Sequence, residues 1–332
     1  MANAPQAFSP KEWRCAVVSD ATNAGSTGIG TTMNQLDVDS ISFPSLNVTQ
    51  ALDVRSGVGA TLKAEDFFHD RTLRVVELGL SGTLHDDVGH RLLIANICGA
   101  AQTDNTNQTI ASAHKIVGQR YGAAVTNNAS SLTVVLQPSD VTNQRGIELF
   151  GCVVTSFSIT ADVGTEGGRY KWSATLQTGR IPDLDSQVTP TITAYGNDDG
   201  TTLAAASGIL VYGVQSVLNN FTTTIDYPAV FTGITSGGYE VVSRGVECAV
   251  THDCQIKYDT NTKDMISTFD GGAIKAEDMF IIVNNGKFGI DTANGVLTNV
   301  ALSEGDIMML DCSIKAVDDG TDELLIIDLS NA

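Results

Sequence analysis

The chain has 332 residues, 42% hydrophobic and 17% charged, enough for two ordinary packed domains and too apolar for wholesale disorder. Acidic residues outnumber basic ones 38 to 19, a formal net charge of −19, which argues against a protein that grips nucleic acid. A solvated surface accounts for such a charge, and so does a wall past which DNA must slide without sticking.

In chain order, the first twenty residues are polar, with Lys11, Glu12 and Arg14 and no apolar run, so they do not read as a signal peptide. Residues 1–40 are assigned to an N-terminal arm. Within it GSTGIG at 25–30 looks superficially like a phosphate loop but lacks the Lys-Ser/Thr ending and a preceding strand. Residues 71–85 (RTLRVVELGLSGTLH) alternate, with Val76, Leu78, Leu80 and Leu84 on one face and Glu77, Gly79, Ser81 and Thr83 on the other. Residues 88–101 are the best helix candidate, with Leu92, Leu93, Ile97 and Ala100 on one stripe. Polar residues 103–113 read as a loop. Alternation returns at 153–162, where Val153, Thr155, Phe157 and Ile159 oppose Ser156, Ser158, Thr160 and Asp162. A Gly-rich turn at 164–168 then leads into a second strand at 170–177, making a hairpin.

Residues 186–205, with Pro190 and NDDG at 197–200, read as a linker. The domains are therefore set at 41–185 and 209–332, joined by 186–208. The apolar window 203–218 is diluted by Ser207, Gly208, Gly213, Gln215 and Ser216, so no membrane span or membrane partner is expected. Residues 273–283 suit a short turn or helix, and Asp319-Gly320 suits a hairpin turn joining 313–317 to 324–329. The fold class is mainly β: two tandem, duplicated β-sandwich or split-barrel domains, each with at most a short flanking helix. The duplication rests on RVVELGLSGTL at 74–84 matching EVVSRGVECAV at 240–250, an offset of 166. Leu46 and Gly151-Cys152 have weaker counterparts at Leu218 and Asp311-Cys312. The match sets Glu77, Gly79, Ser81 and Thr83 against Ser243, Gly245, Glu247 and Ala249, although Leu78 falls on Arg244.

No GxSxG, HExxH or Walker loop is present, and no GxGxxG follows a strand, so the chain is not expected to be an enzyme. No catalytic residue, cofactor or metal is expected. His85 and His90 around Asp86-Asp87, and His252 between Cys248 and Cys254, fit no standard ligand spacing and read as turn and core residues. The six cysteines show no CxxC pair and read as small buried hydrophobes of a reducing compartment.

Residues 151–180 (GCVVTSFSITADVGTEGGRYKWSATLQTGR) resemble the hallmark strand, Gly-rich hairpin and second strand of bacteriophage tail tube (major tail) proteins. Residues 217–233 and 240–253 resemble the second half of the long, two-domain members. The resemblance implies a virion structural protein, made in the bacterial host cytoplasm. It would self-assemble into stacked rings around the conduit through which the genome is ejected. It implies ring closure as a trimer with pseudo-sixfold symmetry, or as a hexamer if only one half builds the wall. The implied partners are the chain itself, the tape measure protein and the tail terminator and tip proteins, with genomic DNA passing without specific binding. Glu77, Ser81, Thr83, Asp162, Ser243 and Glu247 are the expected lumen-facing residues, and residues 25–49 and 101–128 the candidate stacking arms. Other expectations are a baseplate or capsid-decoration protein, or a secreted surface-layer or adhesin-like protein. A carbohydrate-binding module is weakened by the presence of only two tryptophans, Trp13 and Trp172.

Overall fold

Every second side chain from Val76 to Leu80 is apolar, and the segment is a strand with Val76, Leu78 and Leu80 buried and Glu77 exposed. That pattern, repeated along the chain, makes the protein mainly β. The computed structural model describes residues 10–19, 32–44, 49–52, 67–70, 75–98, 101–102, 113–116, 131–142, 144–186, 189–195, 202–203, 206, 208–234, 240–243, 247–272, 275–284, 288–304, 307–318 and 324–329.

The first half begins with β1 (Trp13–Ser19), β2 (Met33–Leu36) and β3 (Ser40–Ser42), then the hairpin of β4 (Thr49–Leu52) and β5 (Phe67–Asp70). It continues through β6 (Val76–Thr83), helix α1 (Val88–Cys98), β7 (Ala101–Gln102), β8 (Ala113–Ile116) and β9 (Leu132–Pro138). It ends with β10 (Gly146–Asp162), β11 (Lys171–Thr178) and β12 (Asp183–Ser186). After β13 (Ile192–Thr193) come β14 (Gly208–Val211), β15 (Val214–Gln215) and β16 (Leu218–Asp226). A hairpin of β17 (Val230–Ile234) and β18 (Glu240–Ser243) follows, then β19 (Ala249–Lys257) and helix α2 (Met265–Asp270). The chain closes with β20 (Lys275–Asn284), β21 (Phe288–Ser303), β22 (Met309–Ala316) and β23 (Leu325–Leu329).

Two long strands organise the whole. Strand β10, 17 residues, pairs with β9 and β12 through its first part and with β11 and β16 through its second. It bends where the β9 ladder slips between Leu149 and Cys152, at Gly151 with φ +60°. The Val154 N–H beside the bend donates to Asn96 Oδ1 of α1 (2.7 Å), which fixes the helix against the strand. Strand β21, 16 residues, likewise pairs with β20 and β23 early and with β22 late.

The correspondence extends further. Strands β3, β6, β11 and β10 lie side by side in that order, as do β16, β19, β22 and β21. Strand β9 joins β10 to β1, and β20 joins β21 to β14. A detached hairpin separates β3 from β6, and another separates β16 from β19. Each half thus repeats one order of pairings. The register aligns them through the slips at Val154/Ser156 and Leu297/Asn299, which sets Ser156 with Asn299, Thr175 with Ser313 and Gly79 with Asp253.

Several sequence expectations need correction. Strand β6 corresponds in position to β19, not to 240–250, where β18 belongs to a separate hairpin. Residues 275–284 form a strand, and the short helix lies earlier, at 265–270, because Ile281, Ile282 and Val283 are β-branched and alternate in burial. Strand β23 pairs with β21 and β8, not with the strand preceding Asp319-Gly320, so a local turn signal did not identify its partner. Strands β1 and β2 lie inside the region read as an N-terminal arm, and β13 of the linker pairs in parallel with β2.

One apolar core runs through both halves, from Cys15 to Leu329, with Trp172, Tyr170, Phe157, Phe221 and Phe280 at its centre. Five of the six cysteines are buried, and burial pushes the Cys15 thiol up to about 12. His252 is fully buried, bonded to the Thr223 hydroxyl (2.9 Å) and the Thr292 hydroxyl (2.9 Å), and stacked on Phe280 at 4.4 Å. Burial lowers its pKa to about 3. An unfolded histidine takes a proton near pH 6.5, so below that pH the unfolded state binds one proton more than the folded state. Stability then falls by about 1.4 kcal/mol per pH unit, approaching a loss of about 5 kcal/mol near pH 3. In urea titrations, His252→Gln should be the less stable protein at pH 7. It should then lose about 3 kcal/mol less than the parent between pH 6.5 and pH 4. Parallel losses in the two proteins would contradict this assignment.

Candidate functional site

The eight strands β3-β6-β11-β10-β16-β19-β22-β21 form one antiparallel sheet that crosses from the first half to the second at the β10–β16 ladder. Its inner face is the core. Its outer face is polar from β3 to β22, because each strand alternates and most register pairs keep like with like, while β21 adds Val296 opposite Lys315 and Ala301 opposite Asp311. One row reads Ser40, Ser81, Ser173, Ser158, Thr224, Thr251 and Lys315. The next reads Thr83, Lys171, Thr160, Thr222, Asp253, Ser313 and Asn299.

Hydrogen bonds across the strands hold this face. Ser158 and Ser173 hydroxyls lie 2.7 Å apart, Ser156 Oγ donates to Asp226 Oδ1 (2.6 Å), and Ser313 Oγ donates to Asp253 Oδ1 (2.6 Å). Gln255 Nε2 donates to Asp311 Oδ1 (2.9 Å) and Gln177 Nε2 to Glu77 Oε2 (3.1 Å). These carboxylates accept from neutral donors rather than from cations. Lys171 is the exception: its Nζ reaches Asp39 and Glu166, each at 3.1 Å. A cleft of about 340 Å³ opens at the β10–β11 turn between Asp162, Glu166, Arg169, Lys171, Asn220 and Thr222.

Of the residues expected to line a lumen, Glu77, Ser81, Thr83 and Asp162 all belong to this face. Glu77 is exposed and Ser81 half-buried, while Thr83 is only 4% exposed, its hydroxyl covered by Lys171 Nζ at 3.0 Å. Asp162 Oδ1 accepts the Gly164 N–H (2.8 Å) and so closes the turn at that end. Glu247 is exposed and borders the face, two residues before Ala249, which opposes Asp226. Ser243 lies opposite Val230 in the β17–β18 hairpin, which is not part of the eight-stranded sheet. The sequence reading missed Asn220, Thr222, Thr224, Asp226, Thr251, Asp253 and Gln255, although plain alternation in LNNFTTTID and AVTHDCQIK marks them.

The histidine-aspartate group at 85–90 performs local work. Asp87 Oδ1 accepts the His90 N–H (2.9 Å) at the start of α1 and also meets His90 Nδ1 (2.9 Å). His85 Nε2 meets Asp37 Oδ2 (2.7 Å), and Arg91 pairs with Asp86. Among the described residues no group of three or more His, Cys, Asp or Glu side chains is placed to hold a metal ion. Residues 319–323 of the acidic stretch at 318–323 lie outside the described residues.

The two margins of the sheet are open among the described residues. Strand β3 pairs on one side only, with β6. Strand β21 has β20 beside it only as far as Val296, so residues 297–303 have β22 on one side and no partner strand on the other. Leu302, on the core side of that margin, is 48% exposed. Its counterpart in the repeated register is Ile159, fully buried because β16 covers β10.

No family model matches the chain, and no curated protein matches it. Among solved structures, it is similar to a chain in the tail of an empty GTA particle computed with helical refinement in C6 symmetry. That similarity covers 41% of this chain and 89% of the other, at 8% identity and a TM-score of 0.24.

Proposed function

We propose that this chain is a virion structural protein, not an enzyme, whose copies join edge to edge into stacked rings and form a hollow tail tube for genome passage. The observation that carries the reading is the eight-stranded sheet with a largely polar outer face and, among the described residues, two open margins. Inside the chain, the first half already joins the second by setting β16 against β10. The same operation applied again sets β3 and β6 of the next copy against β21, covering Leu302 as Ile159 is covered. Such a contact is heterologous and makes rings when its rotation closes. Unpaired strand edges seek this kind of partner.

The width of the sheet favours three copies. Twenty-four strands at about 4.8 Å spacing and the ordinary barrel tilt of about 35–45° close to a backbone diameter of about 45–50 Å, which leaves room for one duplex inside the side chains. Six full copies would give about 90–100 Å, far too wide to guide a single duplex. Facing inward, the polar surface would present Glu77, Asp162, Asp226 and Asp253 to the phosphates and keep DNA mobile. Tape measure, terminator and tip proteins are the expected partners within the tail.

Negative-stain microscopy of the purified, concentrated protein tests the reading: rings or tubes support it, and dispersed monomers contradict it. Glu77→Lys with Glu247→Lys should leave assembly intact, since both side chains are exposed. A Lys–phosphate approach at about 7 Å in water is worth about 0.6 kcal/mol, and a ring of them should slow DNA ejection roughly threefold or more. Unchanged ejection kinetics would contradict the inward orientation of this face.

A further inference from the structure

The two open margins can be set in register residue by residue, because the β10–β16 ladder already joins the same two units inside the chain. Ser156 corresponds to Asn299 in the repeat, so Ile159 corresponds to Leu302 and Thr160 to Ser303. On the other margin, Gly79 corresponds to Asp253. Ser42 faces Gly79 and Thr222 faces Asp253, so Ser42 corresponds to Thr222 and Phe43 to Thr223. Within the chain Ile159 opposes Thr223, and Thr160 opposes Thr222. The same ladder between two copies sets Leu302 opposite Phe43 and Ser303 opposite Ser42. It ends there, since the next pair would be Glu304 with Ile41 and β21 stops at Ser303.

The exposed side chains agree with this register. Leu302 is 48% exposed and Phe43 37%, each the one large apolar side chain left exposed among the described residues of its margin. Their counterparts inside the chain, Ile159 and Thr223, are both buried. Ile41, two residues before Phe43, packs against the core, which places Phe43 on the core side as Leu302 is. Phe43 stands edge-on to the half-buried Trp13, with ring centroids 5.3 Å apart, so an arriving Leu302 completes an apolar cluster of three. Ser42 and Ser303 continue the polar outer face, as Thr222 and Thr160 do inside the chain. A slip of one residue would turn Leu302 or Phe43 toward that polar side, so the buried face specifies a single register.

We infer that Leu302 of one copy packs on Phe43 of the next, with Ser303 opposite Ser42, and that this apolar pair fixes the register of the lateral contact. The occupant is a second copy because one chain carries both members of the pair, on unlike margins of one sheet. This rests on the ring-forming reading above and names the residues that meet within it. Residues 25–49, expected from the sequence to be a stacking arm, include β3 and Phe43, which lie at the lateral margin. Of residues 101–128, the other expected arm, only 101–102 and 113–116 are described.

The test replaces Phe43 with photoreactive benzoylphenylalanine, which keeps an aromatic ring there, in the full-length chain. Copies labelled with nitrogen-14 and nitrogen-15 are mixed before assembly, irradiated as rings and mapped by mass spectrometry. The expected result is a cross-link between unlike isotopes that joins position 43 to residues 301–303. Rings whose cross-links from position 43 fall elsewhere would overturn the register and leave the ring reading standing. A charge pair supplies a second readout. Phe43→Lys alone and Leu302→Asp alone should each lower ring yield at least about tenfold, and the two together in one chain should restore most of it. Normal rings from either single variant, or no restoration in the double one, would overturn the pairing. Monomers of the parent protein at every concentration would overturn both the pairing and the ring reading.

Discussion

If copies join edge to edge as proposed, Leu302→Lys is expected to abolish ring assembly while leaving the monomer as stable as the parent. In the single chain Leu302 is half-exposed, so a lysine there meets water and costs little. In the proposed ring it would occupy the place corresponding to that of Ile159 between β10 and β16, where exposure is zero. Burying a leucine contributes about 1.5–3 kcal/mol, and burying an unpaired ammonium instead reverses the sign. Each lateral contact should therefore weaken by at least about 100-fold, and closing a ring uses several of them. Analytical ultracentrifugation with a parallel thermal melt measures both halves of the expectation. Rings of normal abundance from Leu302→Lys would show that residues 297–303 are not the joining margin. Loss of the melt would show that Leu302 supports the monomer itself.

Gly82→Ala destabilises the fold by more than about 3 kcal/mol and lowers soluble yield sharply. A Cβ at Gly82 would lie 1.9 Å from the Asp37 carbonyl oxygen and 2.8 Å from its carbon. Both are backbone atoms of the segment between β2 and β3, which is held in place by the Asp39 N–H bond to the Ser81 carbonyl (2.8 Å) and by His85 on Asp37. No rotamer change relieves the overlap, so this segment must lift away, exposing the Trp172 indole that pairs with Gly82 across β11. Gly167→Ala is the control. It has nothing within 4 Å and only an unfavourable φ of +69°, for a cost of about 1 kcal/mol. Urea denaturation of the two variants separates close approach from backbone preference, and equal losses would contradict the account of Gly82.

The wetted face was legible wherever a strand alternated cleanly. Glu77, Ser81 and Thr83, and Ser156, Ser158, Thr160 and Asp162, fall on alternate positions, and an antiparallel sheet with one buried side requires that period. The second half was harder, because the inner face of β19 includes His252 and Cys254 among its buried positions, which hides the apolar period. The repeated VVxxG letters drew the alignment onto 240–250, whereas β6 and β19 correspond through their partners in the ladder, which no local string encodes. Strand β23 escaped for the same reason: Leu325–Leu329 is buried on both faces, Asp328 included, and nothing in LLIIDL reveals that β21 and β8 flank it. The open margin at Leu302 was invisible in the sequence, since an exposed leucine and a buried one are spelled alike.

The most direct measurement is a helical reconstruction of the assembled protein at a resolution that separates strands. Three copies should supply 24 strands around the pore (eight each), with Glu77, Asp162, Asp226 and Asp253 pointing inward and residues 297–303 of each copy beside β3 and β6 of the next. A pore lined by other elements, or copies that touch without continuing the sheet, would contradict the account.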